Sequence, residues 1–236
     1  MDKKKLLALG IALIFLVTPI VVLRATNNLA PNHPQRTTPI RIACVGDSIT
    51  QITKYTADLQ AMLGSNYTVG NFGVSGSTVS LSTYKPYMKQ PQFQDAENFQ
   101  PDVVVIMLGT NDAHDDLQQY IGTFDGDYSA LVDSFQNLTN NPQVWIVESP
   151  PVYSNTLGIS PDFFSDQVIP HIQHVASQED VPTIDVYDVF GNHSDYTGDG
   201  IHPNDDGAAL IASQVYDAIT PIYDDGSTTA NSNNSS

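Results

Sequence analysis

Cysteine is almost missing from this chain: Cys44 stands alone among 236 residues, which excludes an internal disulfide. Its place inside the apolar run Ile40 to Val45 marks it as a small buried hydrophobe, and it lies too far from the amino-terminal apolar segment to be a lipid-attachment cysteine. Positive charge is scarce as well. Of nine Lys and Arg, six (Lys3, Lys4, Lys5, Arg24, Arg36 and Arg41) fall within the first 41 residues, leaving Lys54, Lys85 and Lys89. Against these three lysines stand 25 Asp and Glu beyond residue 41, a formal charge of −22 for the body of the protein. Such a surface repels phosphate backbones and anionic lipid, so nucleic acid is excluded as a partner while neutral and cationic partners remain. The chain also lacks internal repeats and a complete metal-binding loop. His114-Asp115-Asp116, Asp125-Gly126-Asp127 and Asp205-Asp206-Gly207 offer oxygen ligands only in fragments, and read as solvated acidic turns.

One long apolar run is present, from Leu6 to Leu23, broken by Gly10, Thr18 and Pro19 and flanked by Lys3 to Lys5 and Arg24. As a helix it would span about 27 Å against a bilayer core of about 30 Å. Residues 1–24 therefore read as an export signal or an uncleaved membrane anchor, which places the rest of the chain outside the cytoplasm. Residues 25–38 read as a polar tether, 39–222 as the folded domain and 223–236 as a disordered tail poor in apolar residues. Five Asn-x-Ser/Thr sites, at Asn66, Asn137, Asn192, Asn233 and Asn234, are compatible with export.

Within the domain, apolar runs alternate with segments of helical spacing. Ile40–Val45, Tyr67–Val74, Val103–Leu108, Val144–Val147 and Thr183–Val186 read as strands, and the third is apolar on both faces, as a central parallel strand must be. Helices are expected at Tyr55–Leu63, around Tyr128 to Leu138, over most of Pro161–Ser177, and in a closing segment carrying Ala208, Ile211, Ala212, Val215 and Ile219 on one face. This alternation predicts a doubly wound α/β sheet of about five parallel strands with helices on both faces. In such sheets, sites lie at the carboxyl ends of the strands. The polar, glycine-rich stretches Gly46-Asp47-Ser48, Asn71 to Thr78 and Gly109-Thr110-Asn111-Asp112 all fall there.

Ser48 follows the first strand in a tight turn, where Gly46 permits backbone angles that a side chain forbids. It is a candidate nucleophile, and equally a residue of the kind that caps a helix N-terminus. A nucleophilic serine needs a base, and the base needs a partner to fix its tautomer. Of six histidines, His33 lies in the tether, His114 in an acidic loop, His171 and His174 in a helix and His193 in a turn. His202 differs, because Asp199 stands three residues upstream in Asp199-Gly200-Ile201-His202-Pro203, a spacing at which a turn brings carboxylate and imidazole together. The alternative for this stretch is a capping turn ahead of the closing helix, with His202 solvated. Oxyanion donors are available in the Gly76 N–H, the Asn111 amide and the Ser48 N–H. Ser75, in Gly73-Val74-Ser75-Gly76-Ser77, misses the Gly-x-Ser-x-Gly elbow because its last position is Ser77.

Taken together, Gly46-Asp47-Ser48-Ile49-Thr50, Gly76 within Asn71 to Thr78, Gly109-Thr110-Asn111-Asp112 and Asp199-x-x-His202 resemble, in order, the four blocks of the SGNH (GDSL-type) hydrolases. The resemblance spans residues 39–220. It implies a three-layer α/β/α flavodoxin-like sandwich, a Ser48, His202, Asp199 triad, an oxyanion hole from Ser48, Gly76 and Asn111, and neither metal nor cofactor. Asn71 to Gly76, Met107 to Asp112, Pro150-Pro151-Val152-Tyr153 and Asp199 to Asn204 are similar to the sialate or acetylxylan O-acetylesterase-like branch, which implies removal of small acyl groups from sugar hydroxyls. The chain departs from that pattern at Ile52, where relatives usually carry glycine, and this alters one pocket wall. Two other functions are compatible with the same residues: a lysophospholipase or thioesterase acting on longer acyl chains, and a non-catalytic glycan-binding surface module.

Overall fold

The computed structural model describes residues 38–222. The amino-terminal apolar segment, the tether up to residue 37 and residues 223–236 lie outside the described residues. The chain runs β1 (Ile40–Gly46), α1 (Ser48–Ile52), α2 (Tyr55–Leu63), β2 (Tyr67–Gly73), α3 (Pro91–Asn98), β3 (Val103–Met107), α4 (Phe124–Gln136), β4 (Gln143–Glu148), α5 (Pro161–Phe163), α6 (Ile169–Gln178), β5 (Thr183–Asp185), α7 (Tyr187–Phe190) and α8 (Asp205–Ile219). The five strands form one sheet in the order β2-β1-β3-β4-β5. Every pairing is parallel. This is the doubly wound order whose site falls where the winding reverses, between β1 and β3.

Alternating side chains of the central strands face two separate cores. Val104 and Ile106 join Phe124, Tyr128, Leu131, Phe135, Ile172 and Val175 under α3, α4 and α6. Val103, Val105 and Met107 join Leu59, Ile211, Ala212 and Val215 under α2 and α8. All five β3 residues are buried, which is why this strand has no polar face. Burying each such side chain contributes about 1.5–3 kcal/mol, so the three layers are held mainly across β1, β3 and β4.

The five strands and the major helices stand where the hydrophobic pattern put them, with small differences at the ends. Strand β2 stops at Gly73 and β5 at Asp185, one residue earlier than expected in each case. The helix expected over 161–177 is a composite in which α5 passes through a π-helical stretch, Phe164–Val168, into α6. Pro170 lies at the start of α6 and has no N–H for a regular ladder, which is a local reason for the wider turn. Helices α3 and α7 have no counterpart in the hydrophobic pattern, and α1 is foreshadowed only by Ser48 as a candidate helix cap; all three are short, or too polar to show a period.

Candidate active site

The site starts from the way α1 is seated on the sheet. Gly46 has no positive φ, so backbone freedom is not what the glycine supplies. A Cβ built there would lie 2.0 Å from Thr50 Oγ1 and 2.7 Å from the Met107 carbonyl, and one on Gly73 would lie 2.3 Å from the Gln51 nitrogen. Both glycines are there to let α1 lie directly on the ends of β1 and β2. Asp47, not Ser48, is the N-cap: its Oδ1 accepts from the Ile49 N–H at 2.9 Å. Ser48 is the first residue inside the helix, so its hydroxyl is spared the capping role.

Opposite Ser48 stands the loop that precedes α8. Ser48 Oγ lies 2.8 Å from His202 Nε2, and His202 Nδ1 lies 2.7 Å from Asp199 Oδ2. The other Asp199 oxygen accepts from the backbone N–H groups of Ile201 and His202, at 3.0 and 2.8 Å. Partial burial works against the Asp199 anion, but these three hydrogen bonds outweigh it and hold the carboxyl below the usual range. A charged Asp199 requires the proton on His202 Nδ1, which leaves Nε2 to accept from the serine hydroxyl. Gly200 makes the turn possible. Its φ is +86°, and a Cβ would fall 2.4 Å from the Ser154 carbonyl of the loop after β4. The helix start belongs to Asn204, whose Oδ1 accepts from Asp206 and Gly207, so capping and the Asp199–His202 contact coexist in one segment.

The remaining site residues come from the ends of β2 and β3. Val74 N–H donates to the Gly46 carbonyl at 2.9 Å, which draws the 74–77 loop beside the serine turn. Gly76 has φ +73°, and among the described residues its N–H has no recorded acceptor. Asn111 sits in a 3₁₀ turn that begins after Gly109, whose φ is +120°. Its amide is already engaged, donating to the Ser77 carbonyl at 3.0 Å and, at a longer 3.3 Å, to Asp47 Oδ2.

Beneath this surface lie two buried carboxylates that form no ion pair with a lysine or arginine among the described residues. Asp47 is buried, and desolvation pushes it up to about 7, with Asp112 adding to the rise and the Ile49 N–H and His202 opposing it. Asp112 is pushed up to about 6 by burial, against the N–H groups of Ser80 and Val79 that it accepts. Both residues fall within recognisable blocks, yet no feature of the sequence assigned them to the floor of the site. Gln51 and Lys85 were missed altogether. Gln51 Oε1 accepts from Ser75 N–H and Oγ–H, and Lys85 Nζ donates to the Ser75 carbonyl. Only the fold brings them together, since Lys85 lies ten residues beyond Ser75 in a loop without a motif.

The other histidines of the domain are engaged elsewhere. His171 Nδ1 bonds Asp125 Oδ1 at 2.6 Å, and His193 stacks on Tyr196 at 4.7 Å. Among the described residues no group of three or more His, Cys, Asp or Glu side chains is placed to hold a metal ion. Cys44 is buried, and burial pushes its thiol up to about 12, so it is an inert part of the core.

A five-stranded parallel sheet with a serine, a histidine and an aspartate gathered at its carboxyl edge defines a hydrolase-like α/β sandwich. The chain belongs to the GDSL-like lipase/acylhydrolase family, whose model matches residues 44–210. An acetylxylan esterase of Xylanibacter ruminicola is 34% identical over an alignment that covers 76% of this chain and 43% of that relative's own length. This chain thus spans less than half of that protein. Among solved structures, an aryl esterase of M. smegmatis superposes with a TM-score of 0.63 at 20% identity, covering 77% of this chain and 99% of that one. A carbohydrate acetylesterase from Sinorhizobium meliloti gives 0.62 at 18% identity, covering 78% and 100%. At such identities the structural likeness is one of fold.

Proposed function

We propose that this protein is a serine esterase that removes short acyl groups, acetyl foremost, from carbohydrate hydroxyls through an acyl-enzyme. The observation that carries the reading is the continuous relay Ser48 Oγ to His202 Nε2 at 2.8 Å and His202 Nδ1 to Asp199 Oδ2 at 2.7 Å. The acetylxylan esterase relative supports the choice of substrate class.

In this mechanism Ser48 Oγ attacks the ester carbonyl carbon as its proton passes to His202 Nε2. The carbonyl oxygen takes the negative charge and is met by the N–H groups of Ser48 and Gly76 and by Asn111 Nδ2. Of the two hydrogen bonds that Asn111 Nδ2 donates, the one to Asp47, at 3.3 Å, is the longer and weaker, so a small rotation of the whole amide would give it up and bring Nδ2 to the oxyanion. The tetrahedral adduct collapses, the sugar oxygen leaves with the His202 proton, and water enters by the same route to release the acid and restore Ser48. Asp199 holds the ring and balances the imidazolium. The same reading puts the domain outside the cytoplasm, carried by an export signal or anchor within residues 1–24.

Ser48→Ala is expected to abolish turnover of p-nitrophenyl acetate and acetate release from acetylated xylan, with an unchanged circular dichroism spectrum. Fluorophosphonate should label the wild type at Ser48. Activity in Ser48→Ala close to wild type would overturn the assignment. A rate that climbs steadily from acetate to palmitate esters would overturn the acetyl preference alone.

A further inference from the structure

The peptide group between Ser75 and Gly76 is gripped on one edge and open on the other. Because a peptide is planar and trans, its C=O and N–H point in opposite directions. The Ser75 carbonyl accepts from Lys85 Nζ at 2.7 Å, whereas the Gly76 N–H has no recorded acceptor among the described residues. Lys85 is itself anchored, since its carbonyl accepts from Thr78 N–H at 3.1 Å and the Thr78 carbonyl accepts from Tyr87 N–H at 2.9 Å. Its aliphatic stem runs past the glycine, with Cδ 4.0 Å from where a Gly76 Cβ would be. On the other side Ser75 N–H and Oγ–H meet Gln51 Oε1 at 2.9 and 2.5 Å, one turn beyond the serine on α1.

Gly76, at φ +73° and without a side chain, leaves this peptide plane free to rotate unless something holds it. We propose that Lys85 is a positioning residue whose ammonium, by holding the Ser75 carbonyl, aims the Gly76 N–H at the oxyanion and polarises it. A charged donor makes the stronger kind of hydrogen bond, and a peptide polarised at its carbonyl is a better donor at its N–H. The inference rests on Gly76 as an oxyanion donor and deepens that reading. It also gives a use to one of only four Lys and Arg residues, Arg41, Lys54, Lys85 and Lys89, found within residues 38–222.

Lys85→Met should lower kcat on p-nitrophenyl acetate about 10- to 100-fold while KM moves by less than about twofold, since the oxyanion forms only after binding. Lys85→Arg, which keeps a charged donor, should recover most of the loss. The control is Lys89→Met, which removes the same charge from a lysine that donates to the Leu81 carbonyl at an exposed position. It should leave kcat within about twofold of wild type. A Lys85→Met enzyme with wild-type kcat, a loss that Lys85→Arg fails to recover, or an equal loss in Lys89→Met overturns the role of Lys85. Those results leave the esterase reading standing if Ser48→Ala is inactive. An active Ser48→Ala instead removes the esterase reading itself.

Discussion

Aspartate 47 and serine 48 divide between them two roles that the sequence left open for one residue. The carboxylate caps α1 and the hydroxyl reaches His202. Residue types and spacing made the Ser48, Asp199 and His202 pattern legible, because Asp-x-x-His brings its own two side chains together through a local turn. What spacing could not show is the second function of Asp199. Its Oδ1 holds two backbone N–H groups while Oδ2 faces the ring. Asp199→Asn should keep its amide oxygen on those N–H groups and turn its NH₂ toward Nδ1. That selects the tautomer with the proton on Nε2, which cannot accept from Ser48. Activity toward p-nitrophenyl acetate should fall about 100-fold or more, with little change in Tm. Gly200→Ala acts at the same turn through the backbone. It combines a φ of +86° with a Cβ 2.4 Å from the Ser154 carbonyl. A cost of about 2 kcal/mol or more is expected, read as a Tm lower by roughly 4–8 °C together with lost activity.

The large helices were legible because their burial is periodic and the central strands because they are continuous apolar runs, whereas α1, α3 and α7 are too short or too polar for a period to emerge. That blindness matters most for α1, since five residues carry both Ser48 and Gln51. Its position is fixed less by its own side chains than by two glycines on the strands beneath it. Only contact distances reveal this, as Gly46 and Gly73 otherwise resemble ordinary turn residues. The π-helical stretch ahead of α6 is similarly hidden, yet it places Val168 and Ile172 where a Cβ on Gly109 would meet them at 3.1 and 3.2 Å, behind the Asn111 turn. Gly73→Ala separates seating of the helix from global stability. Its Cβ would press on the Gln51 backbone nitrogen and Cα, at 2.3 and 2.7 Å, which cannot rotate aside. Stability should drop by about 1–3 kcal/mol. Esterase activity should fall at least tenfold even well below the new Tm, because displacement of α1 moves Ser48 away from His202. Activity equal to wild type at low temperature would contradict this account of α1.

Across the whole molecule, ionisation makes the folded state weaker as pH rises. Asp47 and Asp112 have folded-state values of about 7 and about 6, and burial raises Glu97 and Glu148 too. A carboxyl that holds its proton more tightly when folded stabilises the fold below its unfolded value, and that contribution disappears as pH climbs through the folded value. For Asp47 and Asp112 the window runs from about pH 4 to about pH 7. Asp199 has the opposite sign: its lowered value contributes stability above about pH 4 that is lost in stronger acid. The formal net charge of −17 adds mutual repulsion that also grows as carboxyls ionise, so both sources point the same way in plain buffer. Salt separates them. At about 1 M the Debye length is about 3 Å, enough to screen exposed charges but not carboxylates inside the fold. Urea unfolding between pH 4.5 and 8 in 1 M NaCl should therefore retain a decline of a few kcal/mol, on the order of what two shifted buried groups supply. A profile that becomes flat in salt would assign the whole effect to the surface and leave Asp47 and Asp112 ionised in the folded protein.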